Sequence, residues 1–152
     1  MIMEQIGIGI IGCGYWGVNY VRVFTEIGQT RVVGVCDMRQ ERLAEVKGRF
    51  PTVDTVTDIG DLLAMPDLDA VVVSTPASSH HAVVSQCLDA GKHVMVEKPM
   101  TLTIENGRDL MERAAAKSLN LMVGHTFLYN DGLRKVKEYV QQGDLGRIYY
   151  LY

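Results

Sequence analysis

The sequence predicts an α/β fold: a doubly wound parallel sheet of six strands with helices on both faces. Three observations carry this. Short Val/Ile-rich runs alternate along the chain with segments of helical spacing, the pattern of repeated strand–helix–strand units. Asp69–Ser74 reads Asp-Ala-Val-Val-Val-Ser, a run with the character of a central parallel strand buried on both faces. Gly12-Cys13-Gly14-Tyr15-Trp16-Gly17 stands between the first apolar run and the first helical segment, where such a fold turns sharply from strand to helix. Right-handed crossovers then make 3-2-1-4-5-6 the expected strand order.

Each element follows from local pattern. Ile6–Ile11 is an apolar run of strand length, and Val18, Val21, Phe24 and Ile27 give helical spacing within a helix over 15–28. A second strand covers 31–36. Gln40–Arg49 is a charged surface helix with Leu43, Val46 and Phe50 facing inward, stopped by Gly48 and Pro51. Thr52–Thr57 is a short strand, and Asp58 caps a brief helix around Ile59–Ala64. After strand 69–74, Ser78 or Ser79 caps a helix that runs to Ala90 and ends at Gly91. Lys92–Val96 is the fifth strand. Thr103–Lys117 is a long helix with Ile104, Gly107, Leu110, Met111 and Ala114 on one face; Leu119–Val123 is the sixth strand, and Asp131–Gln142 is a last helix ended by Gly143. Gly146–Tyr152 reads as the start of a further, aromatic strand. A six-stranded sheet has no place for it, so the expected organisation is a domain over 1–145 and the first strand of a missing second domain over 146–152. That strand is also an edge on which another copy of the chain could pair.

The glycine loop carries the chemistry. Its first glycine permits the tight turn, the second lets a pyrophosphate approach the backbone, and the third lets helix and strand pack closely. Free amides and the positive end of the helix dipole favour phosphate. The second strand ends at Asp37, twenty residues after Gly17. A carboxylate there accepts hydrogen bonds from the adenosine ribose of a dinucleotide, and it favours NAD over NADP because it repels a 2′-phosphate. Arg39 and Arg42 soften that preference.

Composition narrows the class. With 22% charged residues and a net charge of −3, the chain has no basic stripe for nucleic acid or an anionic membrane. Cys13, Cys36 and Cys87 are odd in number and share no metal-ligand spacing, which reads as free thiols in a reducing, cytoplasmic setting. No apolar run reaches membrane-spanning length.

At Glu97-Lys98-Pro99 a family enters. With Gly12–Gly17, Asp37, Ser74-Thr75-Pro76 and His80 in the same order, the chain resembles the N-terminal domain of the glucose–fructose oxidoreductase/inositol dehydrogenase/rhizopine-catabolism (Gfo/Idh/MocA) oxidoreductases over nearly its whole length. Gly14–Asn19 and Gly124–Asn130 look like the nucleotide-sugar branch, which oxidises the 3-hydroxyl of a UDP-linked N-acetylhexosamine or a related sugar. The resemblance implies an NAD-dependent dehydrogenase moving hydride between cofactor and a sugar or nucleotide-sugar hydroxyl, with no metal. Lys98 would lie beside the nicotinamide ribose and the substrate hydroxyl, where a cation stabilises a developing alkoxide and relays its proton; Glu97 would pair with its ammonium. Tyr15, Trp16, Ser74, Thr75, Pro76, His80 and Glu97 would line the cofactor site with the glycines and Asp37. His125 and Asn130 would face the substrate, while Phe127 and Tyr129 suit either a contact or the core. For the Lys98–Pro99 bond, cis and trans stand evenly. Members of the family are about twice this length, and a further catalytic Asp and His belong to their second domain. This chain is therefore expected to bind cofactor and to turn over poorly. A non-enzymatic NAD(H) sensor and a nucleotide-free interaction module remain alternatives.

Overall fold

The computed structural model describes residues 5–150. Six parallel strands form one sheet in the order β3-β2-β1-β4-β5-β6, as the crossover rule requires. The strands are β1 Ile6–Ile11, β2 Thr30–Cys36, β3 Asp54–Val56, β4 Ala70–Val73, β5 His93–Val96 and β6 Leu121–Val123. Between them run α1 Tyr15–Glu26, α2 Gln40–Arg49, α3 Ile59–Leu63, α4 Ala77–Asp89 and α5 Ile104–Ala116; a 3-10 turn at Thr126–Tyr129 leads into α6 Asp131–Gln142.

Both faces of the sheet are buried. Ile8, Ile10, Val35 and Val72 join Val21 of α1 and Leu43 and Val46 of α2 in one core. Ile11, Val71, Val73, Val94 and Val96 join Val84, Cys87, Leu88 and Leu110 from α4 and α5 in the other. Successive valines of β4 thus enter opposite cores, as a period of two demands. That is why this strand has no polar face.

Several local expectations need correction. Neither Ser78 nor Ser79 caps α4: Pro76 holds the cap position, and the Ser79 hydroxyl bonds the Pro76 carbonyl and Thr75 Oγ1, both at 2.8 Å. On α5 the buried stripe is Gly107, Leu110 and Ala114, whereas Ile104 and Met111 lie on its flank, 69% and 60% exposed. Residues 146–150 form no strand, since a strand exists by pairing and they join neither edge of the sheet; Leu151 and Tyr152 lie outside the described residues. On α6, Leu133, Val136, Tyr139 and Val140 are 41–47% exposed and no residue of the helix is buried. Among the described residues no helix is long and apolar enough to cross a membrane.

Candidate functional site

The chemically distinctive residues collect where the strands end. β1 runs into Gly12, whose φ of +93° only glycine adopts freely; a Cβ there would also lie 2.9 Å from the Ser74 backbone. At Gly17 a Cβ would stand 1.8 Å from the Gly12 carbonyl oxygen, so this glycine exists for close packing of α1 on the turn. Ser74 reinforces the turn, its hydroxyl donating to Gly12 O at 2.8 Å. Gly14 differs: a Cβ there would meet nothing within 4 Å. Its bareness does no work in the fold and leaves the mouth of α1 open, the cradle a pyrophosphate requires. Cys13, fully buried inside this loop, is no nucleophile; burial, then the nearby Asp37 charge, pushes its thiol up to about 12.

Asp37 directly follows β2. It is 7% exposed, and its Oδ2 accepts from the Cys13 amide at 2.7 Å, tying the end of β2 to the glycine loop. Burial opposes ionisation here. Hydrogen bonds from the Arg39 side chain and from the Cys13 and Arg39 amides outweigh it and hold the carboxyl below its ordinary range.

On the other side, β5 ends in Glu97-Lys98-Pro99, and the Lys98–Pro99 bond is cis. Lys98 is exposed and lines an apolar cleft of about 1200 Å³ with Trp16, Pro99, His125, Phe127 and Leu133. Glu97 also borders the cleft, but it does not pair with the Lys98 ammonium: Oε1 accepts from the Tyr20 hydroxyl at 2.6 Å and Oε2 from the Lys98 amide at 3.2 Å. Burial and then the bond to Glu97 hold the Tyr20 phenol above its ordinary range, so it remains the donor. Trp16 meets Tyr15 edge to face, with ring centroids 5.2 Å apart; the two are 50% and 80% exposed.

His80 lies elsewhere than expected for a cofactor ligand. It is 1% exposed, with Nε2 2.8 Å from the Thr75 carbonyl oxygen and Nδ1 2.8 Å from that of Pro99. Both ring nitrogens are engaged with backbone, so His80 braces the β4 exit against the β5 exit. The signal was present: His80, Val83, Val84, Cys87 and Leu88 form one helical stripe. Asn130 is likewise not in the cleft lining; its Oδ1 accepts from the Leu133 amide at 3.1 Å and caps α6. Phe127 and Tyr129 are 74% and 61% exposed and so are not core. Thr75 and Pro76 form the turn into α4.

Comparison with known proteins agrees with this geometry. The family model GFO_IDH_MocA, described as an oxidoreductase family with an NAD-binding Rossmann fold, matches residues 6–125. An inositol 2-dehydrogenase of Rhodococcus erythropolis is 34% identical over 146 residues, covering 95% of this chain and 42% of that protein. Among solved structures, the WlbA dehydrogenase from Bordetella pertussis, in complex with NADH and UDP-GlcNAcA, superposes with a TM-score of 0.87 at 29% identity, over 98% of this chain and 43% of that one. KijD10, a 3-ketoreductase from Actinomadura kijaniata in complex with NADP, gives 0.88 at 30% identity, over 95% of this chain and 46% of that one. The chain thus spans less than half the length of each of these proteins.

Proposed function

Because the chain belongs to the GFO_IDH_MocA oxidoreductase family, as its NAD-binding Rossmann domain, we propose that it is the cofactor-holding half of a dehydrogenase acting on a sugar, cyclitol or nucleotide-sugar hydroxyl. The observation that carries this is the convergence of an open glycine cradle, a buried carboxylate just after β2 and an exposed lysine at the carboxyl ends of the strands. Gly12, Gly14 and Gly17 shape the pyrophosphate seat, Tyr15 and Trp16 flank it, and Asp37 faces the adenosine ribose. Asp37 supports NAD; the relatives solved with NADH and with NADP span both choices.

The bound nicotinamide supplies a two-electron acceptor for hydride from the substrate carbinol carbon. The chain's own residues handle the proton. Lys98 faces the cleft: its amine would accept the hydroxyl proton as hydride leaves the carbon, the ammonium so formed would stabilise the oxygen, and the proton would then pass to the solvent beside this exposed side chain. Glu97, held by Tyr20 and by the Lys98 amide, fixes the backbone from which Lys98 projects. Ser74, Thr75, Pro76 and His80 serve the same end by holding the two strand exits together. His125 borders the substrate side of the cleft.

A second domain completes the site in this reading. The half-exposed apolar stripe of α6 and the exposed Tyr149 and Tyr150 beyond it support its attachment there. Orientation of both reactants contributes much of an enzymatic rate, so this chain alone binds cofactor and turns over slowly. Three free, buried thiols support a reducing, cytoplasmic setting.

The test is Lys98→Ala in the longest natural form of the protein. A loss in kcat of about 10²–10⁴-fold with NADH affinity retained supports the role. Unchanged kcat removes Lys98 from the chemistry.

A further inference from the structure

Glu97 borders the cleft at 9% exposure, and the two groups that bind its carboxylate are both neutral. Oε1 accepts from the Tyr20 hydroxyl at 2.6 Å and Oε2 from the Lys98 amide at 3.2 Å. Each oxygen thus faces a donor, the arrangement that suits an ionised carboxylate. Tyr20 reaches it from α1, one turn beyond Trp16. The exit of β6 closes over the phenol: a Cβ on Gly124 would lie 3.4 Å from its oxygen. Bonds from neutral donors hold the charge of Glu97 in place and leave it uncancelled. Burial also keeps it from the water and salt that screen the exposed Lys98.

The position of this charge decides what it acts on. The open cradle at Gly14 lies at the mouth of α1, with Asp37 after β2 on one side and Glu97 after β5 on the other. A dinucleotide with its pyrophosphate in the cradle and its adenosine toward β2 extends its nicotinamide toward β4 and β5. The oxidised nicotinamide ring carries a positive charge and the reduced ring carries none. A fixed anion nearby therefore attracts the first and leaves the second unaffected. We propose that Glu97, held in place by Tyr20, biases the bound cofactor toward its oxidised form: it raises the affinity for NAD⁺ relative to NADH and so makes bound NADH a stronger hydride donor. This rests on the dinucleotide reading of the site and gives the buried carboxylate a role separate from any pairing with Lys98.

The experiment is calorimetric titration of this chain with NAD⁺ and with NADH, comparing wild type with Glu97→Gln and Glu97→Asp. Glu97→Gln removes the charge and keeps the contacts, since its amide oxygen accepts from the Lys98 N–H while its NH₂ donates to the phenol oxygen. The affinity for NAD⁺ divided by that for NADH falls about 5–10-fold in Glu97→Gln, the scale of one partly screened charge pair. Glu97→Asp keeps the charge and most of the wild-type ratio. Melting curves establish which variants fold. If Glu97→Gln does not, the double variant Tyr20→Phe/Glu97→Met removes the charge without stranding the phenol and shows the same fall. A ratio unchanged in the folded neutral variant overturns the proposal, as does a Glu97→Asp ratio that drops to that of the neutral variant. A wild-type chain that binds neither form defeats the dinucleotide reading itself, a result separable from the other two.

Discussion

Two alanines in one loop separate the glycine that serves the fold from the glycine that serves the ligand. In Gly17→Ala the new Cβ would stand 1.8 Å from the Gly12 carbonyl oxygen, where real Cβ contacts stay above 3.0 Å, so the backbone must yield by 1.2 Å. Neither side is a flexible side chain, and Gly12 O is anchored by Ser74 at 2.8 Å. Overpacking of this kind costs about 1–3 kcal/mol or more, and the strained Ser74 bond adds about 1 kcal/mol. A total near 3 kcal/mol lowers Tm by about 6–12 °C in a domain of this size. In Gly14→Ala the Cβ meets nothing within 4 Å, and the backbone, at φ −70° and ψ −163°, accepts any residue. Its Tm stays level or rises slightly, since Gly→Ala at a compatible site gains about 0.4–1 kcal/mol. The methyl group instead enters the space intended for pyrophosphate. NADH at a hundred times the wild-type Kd stabilises the wild type by about 2.7 kcal/mol, and a tenfold weaker variant by only about 1.4 kcal/mol. Thermal melts with and without NADH measure both quantities. Wild-type NADH protection in Gly14→Ala, or a wild-type Tm in Gly17→Ala, would refute this division of labour.

Two further predictions concern the supports of the site. Tyr20→Phe strips the donor from buried Glu97 Oε1 and costs about 1–3 kcal/mol, read as a lower Tm; an unchanged Tm would show that the bond contributes nothing. Asp37 has a folded pKa below its unfolded one. Its stabilisation is therefore whole above the unfolded carboxylate value of about 3.9 and is lost as pH falls from there through the folded value. Urea melts at pH 5 and pH 3 should show a steeper loss in wild type than in Asp37→Asn, and parallel losses would contradict the pairing.

Both bounds of α2 and the Asp58 cap of α3 were legible in sequence because each depends on neighbours a few residues away, and the sheet order, which pairs strands as distant as β1 and β4, was legible because right-handed crossovers leave few alternatives. Asp58 does accept from the amides of Gly60 and Asp61. What escaped depends on partners far along the chain. His80 was set among the cofactor-lining residues, yet it is buried between the carbonyls of Thr75 and Pro99. Glu97 was matched with its sequence neighbour, while its true donor, Tyr20, lies 77 positions away. Asn130 was assigned to substrate, though an Asn just before a helical run is a standard capping signal. Asp37 does follow β2 beside the glycine loop, as the pattern indicated; that the guanidinium two residues on would cover it required side-chain geometry.

The most direct test is calorimetric titration of the wild-type chain with NADH, followed in parallel by the fluorescence of Trp16, its only tryptophan. Saturable binding of one molecule per chain, with a change in Trp16 emission and a rise in Tm, is the predicted result. No heat, no spectral change and no thermal shift with either NADH or NADPH would contradict the account at its root.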